Sequence, residues 1–87
     1  MRESSIGFLA RSLAGHDKGK VYMVIREDEQ NVYLADGKLR TLEHPKKKRL
    51  RHVQLIKKPE DPALTEKILQ GEAKDLQIIQ EVKNVKS

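Results

Sequence analysis

Apolar and polar residues alternate in short runs along the first 58 residues of the chain. The most apolar run, VYMVI at 21–25, is rich in β-branched and aromatic residues, which favour strands. Turn-forming residues separate the runs, and Asp36-Gly37 is typical of a two-residue hairpin turn. Five such strands describe a small, strongly bent sheet or barrel. The strands are predicted at 8–13, 21–25, 31–35, 38–42 and 52–56.

The hydrophobic period changes after residue 58. Asp61-Pro62 is typical of a helix N-cap followed by proline at the first helical position, and Gly71 is a suitable helix end. Apolar residues then recur every three positions, which predicts a second amphipathic helix, although 76–79 also fits a strand. The stripe of this second helix consists of Leu76, Ile79 and Val82. We therefore predict a mostly β unit at 1–58 and a helical C-terminal extension at 59–87.

Charge is distributed unevenly between these two units. Residues 1–58 hold fourteen basic and seven acidic residues, whereas residues 59–87 hold four basic and six acidic ones. A basic unit beside a mildly acidic one favours a polyanionic partner for the first and a different role for the second. The alternative is ordinary solubilising charge on a small domain.

Composition and spacing disfavour several classes of function. The chain has no cysteine, which excludes disulfides and thiolate metal sites and fits a reducing compartment. No apolar run is long enough to span a membrane or to form the core of a signal peptide. The three histidines match no metal-ligand spacing. Asp17, Asp36 and the acidic cluster 27–29 fall on predicted turn tips, where carboxylates are usually solvated, without a nucleophile–base pair. We expect a soluble, cytoplasmic protein with no enzymatic activity, metal or cofactor.

Residues 15–20 (GHDKGK) have two glycines and a lysine, as phosphate-binding loops do. A Walker-type loop needs G-x-x-x-x-G-K-[ST], but here the first spacing is one residue short and Val21 replaces the hydroxyl residue. The segment also leads into a predicted strand, whereas a phosphate loop opens a helix. The pattern therefore predicts a turn between two strands, shaped by Gly15 and Gly19. The side chains that project from this turn are His16, Lys18 and Lys20.

The segment AGHDKGKVYMVI at 14–25 resembles the KOW motif, a glycine-containing loop (Gly19 here) between two strands of an SH3-like barrel. This motif occurs in ribosomal proteins and in NusG-type transcription factors. The similarity continues through VYLADGKLRTLEHPKKKRLRHVQLI at 32–56 and so covers about residues 7–57. This longer segment is similar to small KOW-domain RNA-binding proteins related to the L14e group of large-subunit ribosomal proteins. The resemblance implies an SH3-like barrel that binds ribosomal RNA, and it does not extend to 59–87.

Residues 46–51 (KKKRLR) place five cations within six positions, and their mutual repulsion favours a polyanion. If about five phosphates are neutralised, log affinity should change with log salt with a slope of roughly −3.5 to −4.5. The resemblance implies that the 15–20 turn and residues 44–52 lie at the same end of the barrel. The predicted nucleic-acid-binding residues are Arg11, His16, Lys18, Lys20, Arg40, Lys46, Lys47, Lys48, Arg49, Arg51 and His52.

Few aromatic residues accompany these cations. Phe8, Tyr22 and Tyr33 all fall on strand patterns and are predicted to fill the interior rather than to stack on bases. We therefore expect recognition of phosphates and shape in folded RNA, by a ribosomal or ribosome-associated protein. One alternative is a protein–protein adaptor that docks a partner through 59–87, and another is a NusG-like transcription module. The basic run also fits a solvated surface or an import-signal-like stretch.

Overall fold

The computed structural model describes residues 3–85 of the chain. Five antiparallel strands form one sheet in the order β4-β3-β2-β1-β5, and two short helices follow. A single 3₁₀ turn, Leu50–His52, joins β4 to β5. This arrangement confirms the prediction of a mostly β chain of five short strands with a helical C-terminal extension. The elements are β1 Leu9–Ser12, β2 Val21–Glu27, β3 Asn31–Ala35, β4 Lys46–Arg49, β5 Val53–Lys57, α1 Leu64–Leu69 and α2 Asp75–Lys83.

Both faces of the sheet are buried at its centre, which explains why the central strands are apolar without strict alternation. On one face, residues of β1, β2, β3 and β5 pack on one another as the sheet bends. On the other face, Leu9, Met23 and Ala35 pack against Leu64 of α1 and Ile78 of α2. The two helices thus cover one side of the sheet. Burying each of the two large helical side chains contributes about 1.5–3 kcal/mol.

The fourth strand lies later in the chain than the pattern predicts. Residues 38–42 are not a strand, because the buried Asp36 carboxylate accepts hydrogen bonds from the backbone N–H groups of Lys38 and Arg40, both at 2.9 Å. The predicted two-residue hairpin turn at Asp36-Gly37 is therefore wrong. An irregular connection follows, and its Leu42 N–H donates to the Asp75 carboxylate at 2.8 Å. The basic run itself forms β4, which pairs with β3.

Helix α1 starts slightly later than Asp61-Pro62 predicts, because Ala63 is its N-cap and makes no side-chain capping bond. The Asp61 carboxylate accepts the N–H of Ala63 at 2.9 Å in the turn that precedes the helix. The helix ends before Gly71, whose φ of +74° is in the left-handed region expected of a C-terminal glycine. Within residues 3–85, no helix is long and apolar enough to cross a lipid bilayer.

Segment 75–83 is a helix, so the strand alternative for 76–79 is wrong. The predicted apolar stripe is also partly wrong, because Leu76 is 66% exposed whereas Ile78 is fully buried. Glu81 is buried on the same helix, and its two carboxylate oxygens accept the N–H groups of Glu60 and Asp61, both at 2.9 Å. These bonds hold the segment before α1 against α2, and they shift the buried face of α2 away from Leu76.

Replacing Gly37 with alanine is expected to destabilise the protein by about 3 kcal/mol, through backbone strain and overcrowding together. Gly37 has a φ of +83°, and an added Cβ would lie 2.6 Å from both the Asp75 carbonyl oxygen and Ile79 Cγ1. Gly19 has a similar φ of +91° but no atom within 4 Å of the added Cβ. Gly19→Ala is therefore the matched control and should cost only about 1 kcal/mol. Urea unfolding of both variants measures the difference, and equal losses would contradict the close packing of Gly37 on α2.

Candidate nucleic-acid interface

Residues 15–20 form a turn between β1 and β2, as the sequence predicts, and they lead into a strand rather than a helix. Gly15 and Gly19 have φ values of +86° and +91°, which other residues rarely adopt. The turn is closed by backbone hydrogen bonds from Lys18 N–H to the Gly15 carbonyl at 3.2 Å and from Gly19 N–H to the Ser12 carbonyl at 2.8 Å. The turn therefore has a defined conformation that fixes the residue at its centre, Asp17.

The Asp17 carboxylate is the centre of a polar cluster that joins this turn to β4. One oxygen accepts hydrogen bonds from Ser12 Oγ and Lys48 Nζ, both at 2.9 Å. The other accepts the Tyr22 hydroxyl at 2.9 Å and forms an ion pair with Lys46 Nζ at 2.9 Å. The Asp17 side chain is only 9% exposed. The expectation that Asp17 is a solvated turn-tip carboxylate is therefore wrong.

The cluster keeps the Asp17 carboxylate ionised. Burial alone would raise its pKa, but the hydrogen bonds from Lys48, Lys46, Ser12 and Tyr22 outweigh that effect and hold the pKa well below its usual range. Burial raises the pKa of the Tyr22 phenol, and the neighbouring Asp17 charge raises it further. Tyr22 is therefore a hydrogen-bond donor to Asp17 at neutral pH, and the cluster carries one anion between two cations.

The alternation of β4 divides the basic run into two sets. Lys46 and Lys48 are partly buried and paired with Asp17, and the Lys48 side chain is only 10% exposed. Lys47 and Arg49, which alternate with them, are exposed, as is Arg51 in the following turn. Two of the five cations of the run are thus bound by one internal carboxylate. The other three are exposed, and of these Arg49 Nη1 donates to the Gln30 side-chain oxygen at 2.9 Å.

The turn and the basic run are in direct contact, as the barrel resemblance implied. Besides its bond to Asp17, Lys48 Nζ donates to the Ala14 carbonyl at 2.8 Å. The side chains of His16 and Lys18 are exposed in the same turn. His52 is half-buried, and its carbonyl accepts the Leu13 N–H at 2.8 Å. The structure thus brings the 15–20 turn and the 46–52 segment together.

The remaining predicted residues are engaged in other contacts. Arg11 Nη1 donates to the Gly19 carbonyl at 3.2 Å. Lys20 Nζ lies 3.4 Å from an Asp36 carboxylate oxygen and 5.6 Å from the centroid of the Tyr22 ring. The Arg40 side chain is exposed, while its backbone closes the turn that Asp36 organises. Arg11 and Lys20 are therefore held by contacts within the protein, and Asp36 partly compensates the charge of Lys20.

Two residues outside the predicted set form a distinct feature on the sheet. Arg26 Cζ lies 4.6 Å from the centroid of the Tyr33 ring. Tyr33 is half-buried and belongs to neither core cluster, and the same is true of Phe8, so the prediction that both fill the interior is wrong. Of the three aromatic residues only Tyr22 is in the core. The sequence does contain a signal that Tyr33 faces away from the Val32 and Leu34 side of the sheet. Tyr33 alternates with these two buried residues along β3.

Within residues 3–85, no three histidine, cysteine or acidic side chains are grouped so that they could hold a metal ion. This surface presents exposed cations, an arginine–tyrosine cation–π pair and one carboxylate bound between two lysines. No protein-family model matches the chain, and comparison with curated proteins also gives no match.

Proposed function

We propose that this protein binds RNA mainly through its phosphates, using the cationic surface formed by Lys47, Arg49 and Arg51. The observation that carries this proposal is the division of the basic run. Asp17 binds two lysines, whereas these three side chains are exposed with no carboxylate within ion-pair distance among residues 3–85. Exposed arginine and lysine side chains on a fixed backbone suit phosphate oxygens.

We also infer that the sheet closes into an SH3-like barrel of the KOW type. Three features support closure. The two edge strands β4 and β5 are joined by only the three residues Leu50–His52. Leu13 N–H donates to the His52 carbonyl, and Lys48 Nζ donates to the Ala14 carbonyl, both at 2.8 Å. The first bond links the residue after β1 to the connection between the edges, and the second links the turn after β1 to the edge strand β4.

The choice of RNA, and of the ribosome as its source, rests on the similarity of residues 7–57 to KOW-domain proteins of the L14e group. The excess of basic residues in 1–58 supports a polyanionic partner but does not distinguish RNA from DNA. An alternative explanation of the basic run is protection of an edge strand, since lysines on an edge disfavour pairing with another chain. That explanation predicts no dependence of function on these cations.

Binding to ribosomal RNA fragments across a salt series is expected to give a slope of log affinity against log salt of about −2 to −3. Three available cations of the run account for this value, whereas five would give roughly −3.5 to −4.5. Fluorescence anisotropy with labelled RNA measures the slope, and duplex DNA of the same length is the comparison for nucleic-acid type. No detectable binding near 50 mM salt, or a slope near zero, would contradict the proposal.

A further inference from the structure

The outer surface of the sheet has a feature that phosphate binding alone does not use. The strand register pairs Arg26 with Tyr33 and Tyr33 with Lys47. Directly paired residues lie on the same face of a sheet, so these three side chains stand side by side across β2, β3 and β4. We call them the Arg26–Tyr33–Lys47 ladder. It continues the face that the helices cover at Met23 and Ala35, but here the face is open.

The first two members of the ladder form a stacked pair. The Arg26 guanidinium is 4.6 Å from the centre of the Tyr33 ring, and Arg26 is exposed. The tyrosine holds the arginine in place by a cation–π contact. Aromatic rings and arginine guanidinium groups are the surfaces on which proteins stack unpaired RNA bases. The pair therefore offers a stacking surface that is ordered before any ligand binds.

The surroundings of the ladder favour a neutral base at one end and a phosphate at the other. The Tyr33 hydroxyl donates to an Asp28 carboxylate oxygen at 3.4 Å. The exposed Glu29 follows in the same connection and adds a negative charge, which disfavours a phosphate at that end. Arg26 also borders a groove of about 520 Å³ whose walls include Ile25, Leu42 and Ile68, which can shield the face of a base.

Lys47 lies at the opposite end of the ladder and is exposed. In the part of the chain that the structure describes, no acidic side chain is within ion-pair distance of its ammonium group. Lys47 is also a member of the cationic surface, which continues along β4 to Arg49. A backbone phosphate bound at Lys47 would thus place the attached nucleotide next to the stacked pair.

We propose that the bound RNA presents an unpaired nucleotide whose base stacks on the Arg26–Tyr33 pair while its phosphate binds Lys47. This inference rests on the proposed RNA binding and adds a preference to it. The protein selects RNA with unpaired nucleotides, such as a loop or bulge, over a continuous duplex. Duplex RNA meets only the cationic surface, because its bases are stacked on one another and unavailable to Arg26 and Tyr33.

Two variants test the stacked pair without removing charge. Arg26→Lys keeps the cation but removes the planar group, and Tyr33→Leu keeps an apolar side chain but removes the ring. Each is expected to weaken binding to single-stranded RNA of about 12 nucleotides by about tenfold. The slope against salt should stay unchanged, because no phosphate contact is lost. Affinity for blunt duplex RNA should also stay unchanged.

A 2-aminopurine base in the single-stranded RNA reports stacking directly, since its fluorescence is quenched when it stacks. Wild-type protein should quench it, and the two variants should not. Lys38→Arg is the control, because Lys38 is an exposed cation outside both the ladder and the predicted binding residues, and it should behave as wild type. Circular dichroism verifies that each variant is folded.

The outcomes separate this inference from the proposed function. If folded Arg26→Lys and Tyr33→Leu bind and quench single-stranded RNA as wild type does, the stacking proposal is wrong and RNA binding remains. Equal losses on duplex and single-stranded RNA would also overturn it. If wild-type protein binds neither RNA, both proposals fail.

Discussion

The Asp17→Asn variant is expected to unfold with a free energy about 2 kcal/mol lower than wild type, yet to bind RNA with a steeper dependence on salt. The stability loss follows from the position of the carboxylate, which is 9% exposed and bonded to two ammonium groups, a hydroxyl and a phenol. Removing one partner of a buried ion pair usually costs about 3–5 kcal/mol. The cost is smaller here because Lys46 is 28% exposed and its charge can be hydrated.

Although Asp17→Asn lowers stability, it should make the RNA-binding affinity depend more steeply on salt. Without the Asp17 charge, the site formed by Lys46 and Lys48 gains one net positive charge that can interact with a phosphate. Each additional phosphate contact changes the slope by about −0.7 to −0.9, so the slope should become steeper by roughly 0.7–0.9. Glu72→Gln is the matched control, because it removes one negative charge from an exposed residue outside the cluster. A shallower or unchanged slope in a folded Asp17→Asn protein would contradict the division of the basic run.

The same variant isolates a pH effect. The pKa of Asp17 is lower in the folded protein than its ordinary value of 3.8. The carboxylate therefore contributes its full stabilisation above the unfolded-state pKa and loses it as the pH falls toward the folded-state pKa. The difference in unfolding free energy between wild type and Asp17→Asn should be constant from about pH 5 to 7 and should shrink below about pH 4. Urea unfolding at each pH measures it, and a difference that grows on acidification would show that the sign is wrong.

The triple variant Lys47→Gln, Arg49→Gln, Arg51→Gln is expected to bind RNA about a hundredfold more weakly than wild type at roughly 0.15 M salt. It removes the cationic surface but leaves the Asp17 cluster intact, so its stability should be within about 0.5 kcal/mol of wild type. The slope against salt should become shallower by roughly 2.1–2.7, the share of three phosphate contacts.

A charge-matched control decides whether this loss is local. The variant Lys58→Gln, Lys67→Gln, Lys83→Gln removes three cations outside β4 and should retain most of the affinity. Equal losses in the two triple variants would indicate a nonspecific effect of net charge. Unchanged affinity in the triple variant at Lys47, Arg49 and Arg51 would leave only edge protection as the role of this run. Both proteins should be tested as full chains, because Leu64 and Ile78 of the C-terminal extension are fully buried against the sheet.

Local patterns were sufficient where neighbouring residues decide the conformation. The β-branched run at 21–25 forms a strand because its side chains suit a pleated, buried surface. Gly15, Gly19 and Gly71 have the left-handed φ values that their turn contexts require. Asp61 binds the Ala63 N–H in the turn just before α1, although the helix itself starts at Leu64. In each case the physical cause lies within a few residues, so the sequence alone contains it.

Local sequence patterns could not predict the position of the fourth strand or the buried face of α2. Residues 38–42 alternate like a strand, but the Asp36 carboxylate binds their backbone and Asp75 binds Leu42 from a distant helix. Leu76 fits an apolar stripe, but Glu81 binds the backbone at 60–61 and turns that face of α2 toward solvent. The contacts of Asp75 and Glu81 join residues far apart in sequence, which no local period records. The Asp36 contacts are local, but they are polar and leave no mark on the hydrophobic pattern.

The sequence by itself determined the class of the fold, the basic character of residues 1–58 and the turn at 15–20, because composition and local backbone preference are sufficient for these. Only the tertiary structure decided which cations of KKKRLR remain available. The pleat of β4 separates Lys46 and Lys48 from Lys47 and Arg49, and Asp17 binds both members of the first pair. The Arg26–Tyr33–Lys47 ladder likewise exists only through the register of three strands. Ion pairing and stacking depend on distances of a few ångströms, and chain folding sets those distances.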